Sequence, residues 1–302
     1  MTLESNPMVE FFERLGHKII QSKSSWWYEV QPGVLLTIPY YKQIEPTEEE
    51  TSKLMQKHSL RVIRYPTTLN SFGFLSNITI NTNKDYNLSS LHQKARNQTR
   101  RGLENCRFEK ISFDYLTENG LSLNEDTARR QGRESQYTDP VYWRKYCQAA
   151  KLVNGVSAWG TFVEGRLGAF LVSITAEGNW QEWVVNHSLT EFRKKCPNNA
   201  LAFTAAQHFF QKEKCEGICY GLGSLEETGY LDHFKSRMGW DVQPIKQRLI
   251  FSKKIRVIFS LAQEPCLKVM GRLFPKSYTI RKTSAMIKLY RRQLFATSES
   301  DE

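Results

Sequence analysis

The stretch YGLGSLEETGYLDHFKSRMGW, residues 220 to 240, brings a strand end, a glycine-rich bend and a basic helix together in one short span. Gly217 to Tyr220 reads as a short buried strand, Gly221, Gly223 and Gly229 permit backbone turns closed to other residues, and Phe234 and Lys235 fall on a short amphipathic helix that Gly239 ends. A lysine after such a bend is placed to hold a phosphate or a developing oxyanion; the competing reading is a surface lysine on a connecting helix. Three more cations, Arg193, Lys194 and Lys195, lie in the loop EFRKKCPNN, suited to attract phosphate or else simply solvated, and Asn198 or Asn199 is placed to cap the helix that follows. On another basic helix, Arg96 and Arg100 stand one turn apart on the same face, suited to an anionic acceptor or a tRNA backbone, or else simply solvated. His17, His58, His92, His187, His208 and His233 form neither a Ser-His-Asp order nor a metal-ligand spacing, so no metal is expected.

The elements that must position these residues form a run. WGTFVEGRLGAFLVSI (159 to 174) is two apolar strands joined by a Glu164-Gly165 turn, and a second turn at 177 to 179 leads into the strand WQEWVV (180 to 185). A helix from about Asn199 to Lys212 carries Leu201, Ala205 and Phe209 on one stripe, as packing on a sheet requires. The strand at 217 to 220, the Phe234-Lys235 helix and a last strand at 247 to 251 complete the order β-β-β-α-β-α-β.

This run resembles the GNAT acyltransferase fold, and more narrowly its Fem-like branch, which includes aminoacyl-tRNA-dependent enzymes that build peptidoglycan cross-bridges. The resemblance rests on three matches: the basic helix and strand at 89 to 111, the meander followed by a helix opening at Pro197-Asn198-Asn199, and the pattern Gly229, Leu231, Phe234, Lys235, Gly239. It covers roughly residues 25 to 250. The implied architecture is α+β in three layers, with a mixed, mostly antiparallel sheet flanked by helices, two related lobes and a basic helical C-terminal segment. In this fold the sheet splays between the strand before the central helix and the strand after it, and the acyl donor lies in the opening. The resemblance implies that Lys235 stabilises transition-state charge while Phe234 shapes the acyl pocket. Glu182, on the strand bordering the splay, and His187 just past it become the candidate bases, each with an ordinary strand or loop residue as the alternative. The donor is an acyl-CoA or an aminoacyl-tRNA. One departure bears on that choice, because the glycine-rich loop with which acetyl-CoA-using GNAT enzymes cradle pyrophosphate is replaced here by Arg193 to Asn198, with no glycine and with Pro197, which has no N–H.

Composition narrows the class. The chain has 302 residues, 40% hydrophobic, with a net charge of +11. It has no apolar run long enough to span a bilayer, and its start, MTLESNPMVEFFERLG, lacks the features of a signal peptide, so a cytoplasmic protein is expected, free or peripheral on the inner face of the membrane. Six scattered cysteines predict reduced thiols. The function that follows is an N-acyltransferase passing an acyl or aminoacyl group to an amine on a cell-envelope or polysaccharide precursor. The basic balance carries the alternative of a noncatalytic nucleic-acid-binding or membrane-surface protein.

Three segments are expected: an N-terminal lobe at 1–125, an acyltransferase lobe at 126–252 and a basic tail at 253–302. In the first, Ser24 to Tyr41 reads as two strands about a Pro32-Gly33 turn, Thr47 to His58 as a capped helix, and 61–65 and 78–80 as further strands. In the tail, 11 Lys or Arg and one acidic residue lie between Lys253 and Arg292. Pro275 divides it into two helices, the second with Ile280, Ile287 and Leu294 on one stripe beside basic residues. Residues 253–295 thus suit an anionic membrane surface, a tRNA backbone, or packing back on the first lobe.

Overall fold

The computed structural model describes residues 6–132, 134–223, 229–261 and 284–291. Helix α1 (Pro7–Arg14) opens on Asn6, whose side chain accepts from the amides of Met8 and Val9, with Pro7 at the position where a missing N–H is harmless. Strands β1 (Ile19–Gln21), β2 (Trp26–Gln31) and β3 (Val34–Ile38) form an antiparallel meander, and Gly33 takes a positive φ in the β2–β3 turn. Thr47 caps α2 (Glu48–Lys57) through the Glu50 amide. The Glu50 carboxylate does not close a capping box but accepts from the amide and hydroxyl of Ser24. Strands β4 (Val62–Thr67) and β5 (Phe74–Asn81) lead to the basic helix α3 (Gln93–Asn105) and strand β6 (Arg107–Ile111).

Three helices then follow in succession, α4 (Phe113–Asn119), α5 (Leu121–Gln131) and α6 (Pro140–Lys151), before the meander β7 (Val156–Val163), β8 (Arg166–Ala176) and β9 (Trp180–Ser188). The central helix α7 (Pro197–Gln211), strand β10 (Gly217–Leu222), helix α8 (Gly229–Arg237), strand β11 (Asp241–Phe251) and helix α9 (Lys253–Leu261) complete the labelled elements. Residues 284–291 are also helical.

The chain forms two compact units, one of residues 1–16, 79–221 and 229–242, the other of 17–78, 222–228 and 243–302. They are interleaved along the sequence. The cut points near 125 and 252 therefore do not coincide with them, because β11 pairs with β4, far from it in sequence, and so returns the chain to the N-terminal strands.

In the first unit the strand order is β10-β9-β8-β7-β6, antiparallel from β9 to β6 and parallel between β9 and β10. Helix α7 covers one face, burying Leu201, Ala205 and Phe209 against Trp159, Leu171 and Trp183. Helices α1, α5 and α6 lie against the same strands. Trp143 and Tyr146 of α6 stack and are fully buried. The sheet is thus mixed, mostly antiparallel and flanked by helices, as the resemblance implies.

In the second unit the order is β1-β2-β3-β4-β11-β5. One face buries Trp27, Leu35 and Ile63 under Leu54 of α2. The other buries Val62, Phe74, Leu249 and Phe251 with Ile287 from the helical stretch 284–291. Pro275, Ile280 and Leu294 lie outside the described residues, so the two-helix reading of the tail is followed only at its two ends. At 284–291, Ile287 turns into the unit's own core, which is the packing alternative for that residue.

Candidate active site

The parallel pairing of β9 with β10 is short. Trp180, Gln181 and Glu182 pair with Gly217, Ile218 and Cys219, although β9 runs on to Ser188 and β10 to Leu222. Beyond Glu182 the pairing stops, which is the splay expected before and after the central helix. A register shift in the β8–β9 ladder follows at once: Ser173 pairs with Trp183 but Val172 with Val185, leaving Val184 as the extra residue of a bulge. The bulge changes which side chains share a face. Trp183 and Asn186, three apart, both lie opposite odd-numbered β8 residues, Ser173 and Leu171, and so both face α7, whereas strict alternation would separate them.

Lys235 of α8 reaches the point of divergence. Its Nζ donates to the carbonyl of Tyr220, the first β10 residue past the paired stretch, at 3.2 Å, and lies 4.7 Å over the Tyr220 ring. The side chain is only 9% exposed, so it is not the surface lysine of the competing reading. The Tyr220 ring packs against Trp183 and Trp240, each at 5.3 Å, and those two indoles meet at 4.7 Å. Phe234, next to Lys235, packs on the same core.

Glu182 is fully buried at the end of the paired stretch. Its neighbour across the pair reports the local field: burial pushes the Cys219 thiol far above its ordinary range, the Glu182 charge and hydrogen bond push it further, and the Lys235 cation works the other way. The Tyr220 phenol is also raised by burial, an effect that the adjacent Asn186 amide opposes.

The other sequence-selected residues are placed as follows. His187 is buried on the β9 face away from α7, its Nδ1 2.6 Å from Asn124 Oδ1 of α5 and its ring edge against Tyr137 and Phe170. Arg193 and Lys194 are exposed in a 3-10 turn after β9, and Lys195 reaches Asn105 at 3.2 Å and Glu164 at 3.9 Å. Cys196, in the left-handed region, takes the cap position of α7, and no side chain caps that helix. Asn199 instead donates to Met238 Sδ at 3.4 Å, and Asn198 is half-buried in the first turn. The N-terminus of α7 is closely approached by α3, where a Cβ on Gly102 would come within 2.6 Å of the Cys196 carbonyl. Arg96 turns back to donate to the carbonyls of Leu88, Ser89 and Leu91, bracing the chain before α3, while Arg100 is exposed. Lys235 and Phe234 thus meet the splay from the α7 side, and Glu182, paired with Ile174, borders it from the opposite face of β9; Arg96 and Arg100 do not join them. Trp183, Asn186, Tyr220 and Trp240 were not selected from sequence, and the bulge that aligns the first two leaves no mark in it.

Among the described residues no His, Cys, Asp and Glu group could hold a metal ion, and no helix is long and apolar enough to cross a membrane.

No family model and no curated protein sequence matches the chain. Solved structures do. FemX is similar over 85% of this chain and 94% of its own, with TM-score 0.59 and 12% identity. The C-terminal domain of a protein assigned as a lysylphosphatidylglycerol synthetase from Agrobacterium fabrum is similar over 85% and 92%, with TM-score 0.58 and 10% identity. L-PGS from Bacillus licheniformis is similar over 83% and 90%, with TM-score 0.52 and 12% identity. At such identities the likeness is one of fold, and the fold is the GNAT-like, Fem-type one.

Proposed function

We propose that the chain is an N-acyltransferase that passes an acyl or aminoacyl group from an aminoacyl-tRNA or an acyl-CoA to an amine on a cell-envelope or polysaccharide precursor. The observation that carries this reading is the parting of β9 and β10 at Glu182 and Cys219 with the Lys235 ammonium buried at the divergence. The splay makes room for a donor between two strands, and a preorganised cation in a dry site favours the charge that develops on an attacked carbonyl. In the reaction the acceptor nitrogen bonds to the acyl carbon, the carbonyl electron pair moves onto oxygen beside Lys235, and it returns as the ester C–O or thioester C–S bond breaks. Glu182 takes the proton released by the new C–N centre and the departing oxygen or sulfur takes it up. Phe234 lines the acyl side.

Two observations refine the donor and the setting. The first turn of α7 has Pro197 where an amide nest would need an N–H, and α3 lies against it, which favours a donor whose phosphates are met by the exposed Arg193 and Lys194. On α9, Val257 and Ile258 are 59% and 57% exposed beside exposed Lys253, Lys254 and Arg256, which favours an anionic bilayer surface at this helix. The name lysylphosphatidylglycerol, attached to one similar structure, denotes an aminoacylated lipid, in keeping with a setting at a membrane.

The test is transfer from radiolabelled aminoacyl-tRNA and from radiolabelled acetyl-CoA, offered separately with an amine-bearing envelope precursor. Label in the acceptor that disappears in Lys235→Met supports the reading; a wild-type chain that neither retains nor consumes either donor overturns it. Flotation with anionic and neutral vesicles tests α9, with Val257→Ser/Ile258→Ser expected to reduce the bound fraction.

A further inference from the structure

Two polar groups beside the splay are not accounted for by the fold. The Trp183 indole Nε1, on a side chain only 5% exposed, is sealed from solvent and makes no hydrogen bond within the described fold, and the Asn186 amide, also sealed, meets only the Tyr220 phenol. Buried polar atoms without partners are rare, and each costs stability unless something outside the fold completes it. Their position is specific: both face α7 because of the bulge at Val184, and both adjoin Tyr220, over whose ring Lys235 sits.

Their chemistry selects the missing partner. An indole only donates, an ammonium only donates, and an amide donates through its NH₂. A ligand that satisfies this set brings oxygen lone pairs and negative charge, whereas a cation would face the Lys235 ammonium. We propose that Trp183 and Asn186 donate to the carbonyl oxygen of the acyl donor, forming with Lys235 the site that holds this oxygen as it becomes an oxyanion. The proposal rests on the acyl-transfer reading for the identity of the oxygen, but the oxygen-binding site itself is testable apart from it. Trp183 and Asn186 bind the acyl group and fix its orientation, and Lys235 supplies the charge.

The experiment uses the full chain carrying ¹⁵N in its tryptophan indoles, with Trp183→Phe identifying the Trp183 resonance. Acetate is the probe for an acceptor oxygen and methylammonium the control of opposite charge. The Trp183 indole proton is expected to move downfield and saturate with acetate, to ignore methylammonium, and to need about tenfold more acetate in Asn186→Leu. Asn186→Asp, which sets a carboxylate against the probe, abolishes the shift. Because Asn186→Leu removes a buried amide whose one partner in the described fold is the Tyr220 phenol, its melting temperature is expected to change little. A Trp183 resonance unmoved by acetate, an equal response to methylammonium, unchanged acetate binding in Asn186→Leu, or a clear fall in its melting temperature each overturns the proposal. If acetate binds as described but no acyl donor is consumed, the oxygen site stands and the acyl-transfer reading falls.

Discussion

A lysine ammonium that is nine-tenths buried must have its charge answered inside the protein, and among the groups that meet Lys235 are the Tyr220 carbonyl and the face of the Tyr220 ring. Lys235→Met keeps the unbranched stem and removes the charge. It is expected to lower the transfer rate by about 100-fold while leaving the donor's binding nearly unchanged, because one preorganised charge donor acts mainly on the transition state. Steady-state rates at varied donor concentration check this, and an equal loss through KM would assign Lys235 to binding. Lys235 stands out in the sequence because a glycine bend and an aromatic precede it in the order on which the resemblance rests, though its burial is not legible there. Trp183 and Asn186 do not: their shared face depends on one extra residue in β9, and nothing in WQEWVVNHS distinguishes a bulged strand from a regular one.

At the scale of elements, the meander, α7 and β10 follow from periodicity and turn chemistry, and their expected bounds differ from the observed ones by a few residues. The region between β6 and β7 carries three helices, and the sequence signal for the last of them is Asp139-Pro140, a cap followed by a first-turn proline, with the Asp139 side chain accepting from the Val141 amide. Arg96 shows where spacing misleads. Its spacing from Arg100 is that of a basic binding face, yet its guanidinium is spent on three backbone carbonyls, a use that depends on how the chain before α3 folds back. Packing decides the next prediction. Gly102 lets α3 approach the start of α7, and an added Cβ would meet the Cys196 carbonyl at 2.6 Å and the Ala200 Cβ at 2.9 Å. Gly102→Ala gains helix propensity, but it forces apart two backbones that flank the loop from Arg193 to Lys195. A net destabilisation of about 1–3 kcal/mol is expected, read from urea denaturation. Unchanged stability would mean that α3 can slide without cost.

At the scale of the whole molecule, titration and the C-terminal return each give a measurement. The five described cysteines are unpaired and all belong to the unit that holds the splay. Burial pushes the Cys147 and Cys215 thiols up to about 12 and Cys106 to about 11, against an ordinary 9.0. Their folded-state values are raised, so the unfolded chain loses these protons first. The associated stability is fully present below pH 9 and is lost as pH rises toward 12, and thermal melts should fall over that window. Alkylation by iodoacetamide at pH 8 should be slow until unfolding; rapid labelling of Cys147 in the native protein would contradict the burial.

The tail is where charge counting and packing point in different directions. Composition makes 253 to 292 a basic amphipathic strip, open to an anionic surface, a tRNA backbone or packing back on the first lobe. In the fold, Ile287 is 2% exposed among Val62, Phe74, Leu249 and Phe251, with Met286, Leu289 and Tyr290 around it and the Tyr290 ring edge-on to Phe251 at 4.9 Å. Apolar periodicity marks a buried face without saying what buries it, and here the sheet of the second unit does. Ile287→Ala should then cost about 2–5 kcal/mol, the range for emptying a well-packed aliphatic site, and lower the urea midpoint accordingly. Ending the chain at residue 283 uncovers the same apolar surface on β4, β5 and β11 and should leave the protein prone to aggregate. Val257→Ser/Ile258→Ser, on the exposed face of α9, should leave stability within about 0.5 kcal/mol of the wild type. If Ile287→Ala were neutral in stability while weakening vesicle binding, the stripe would belong to the membrane and not to the core.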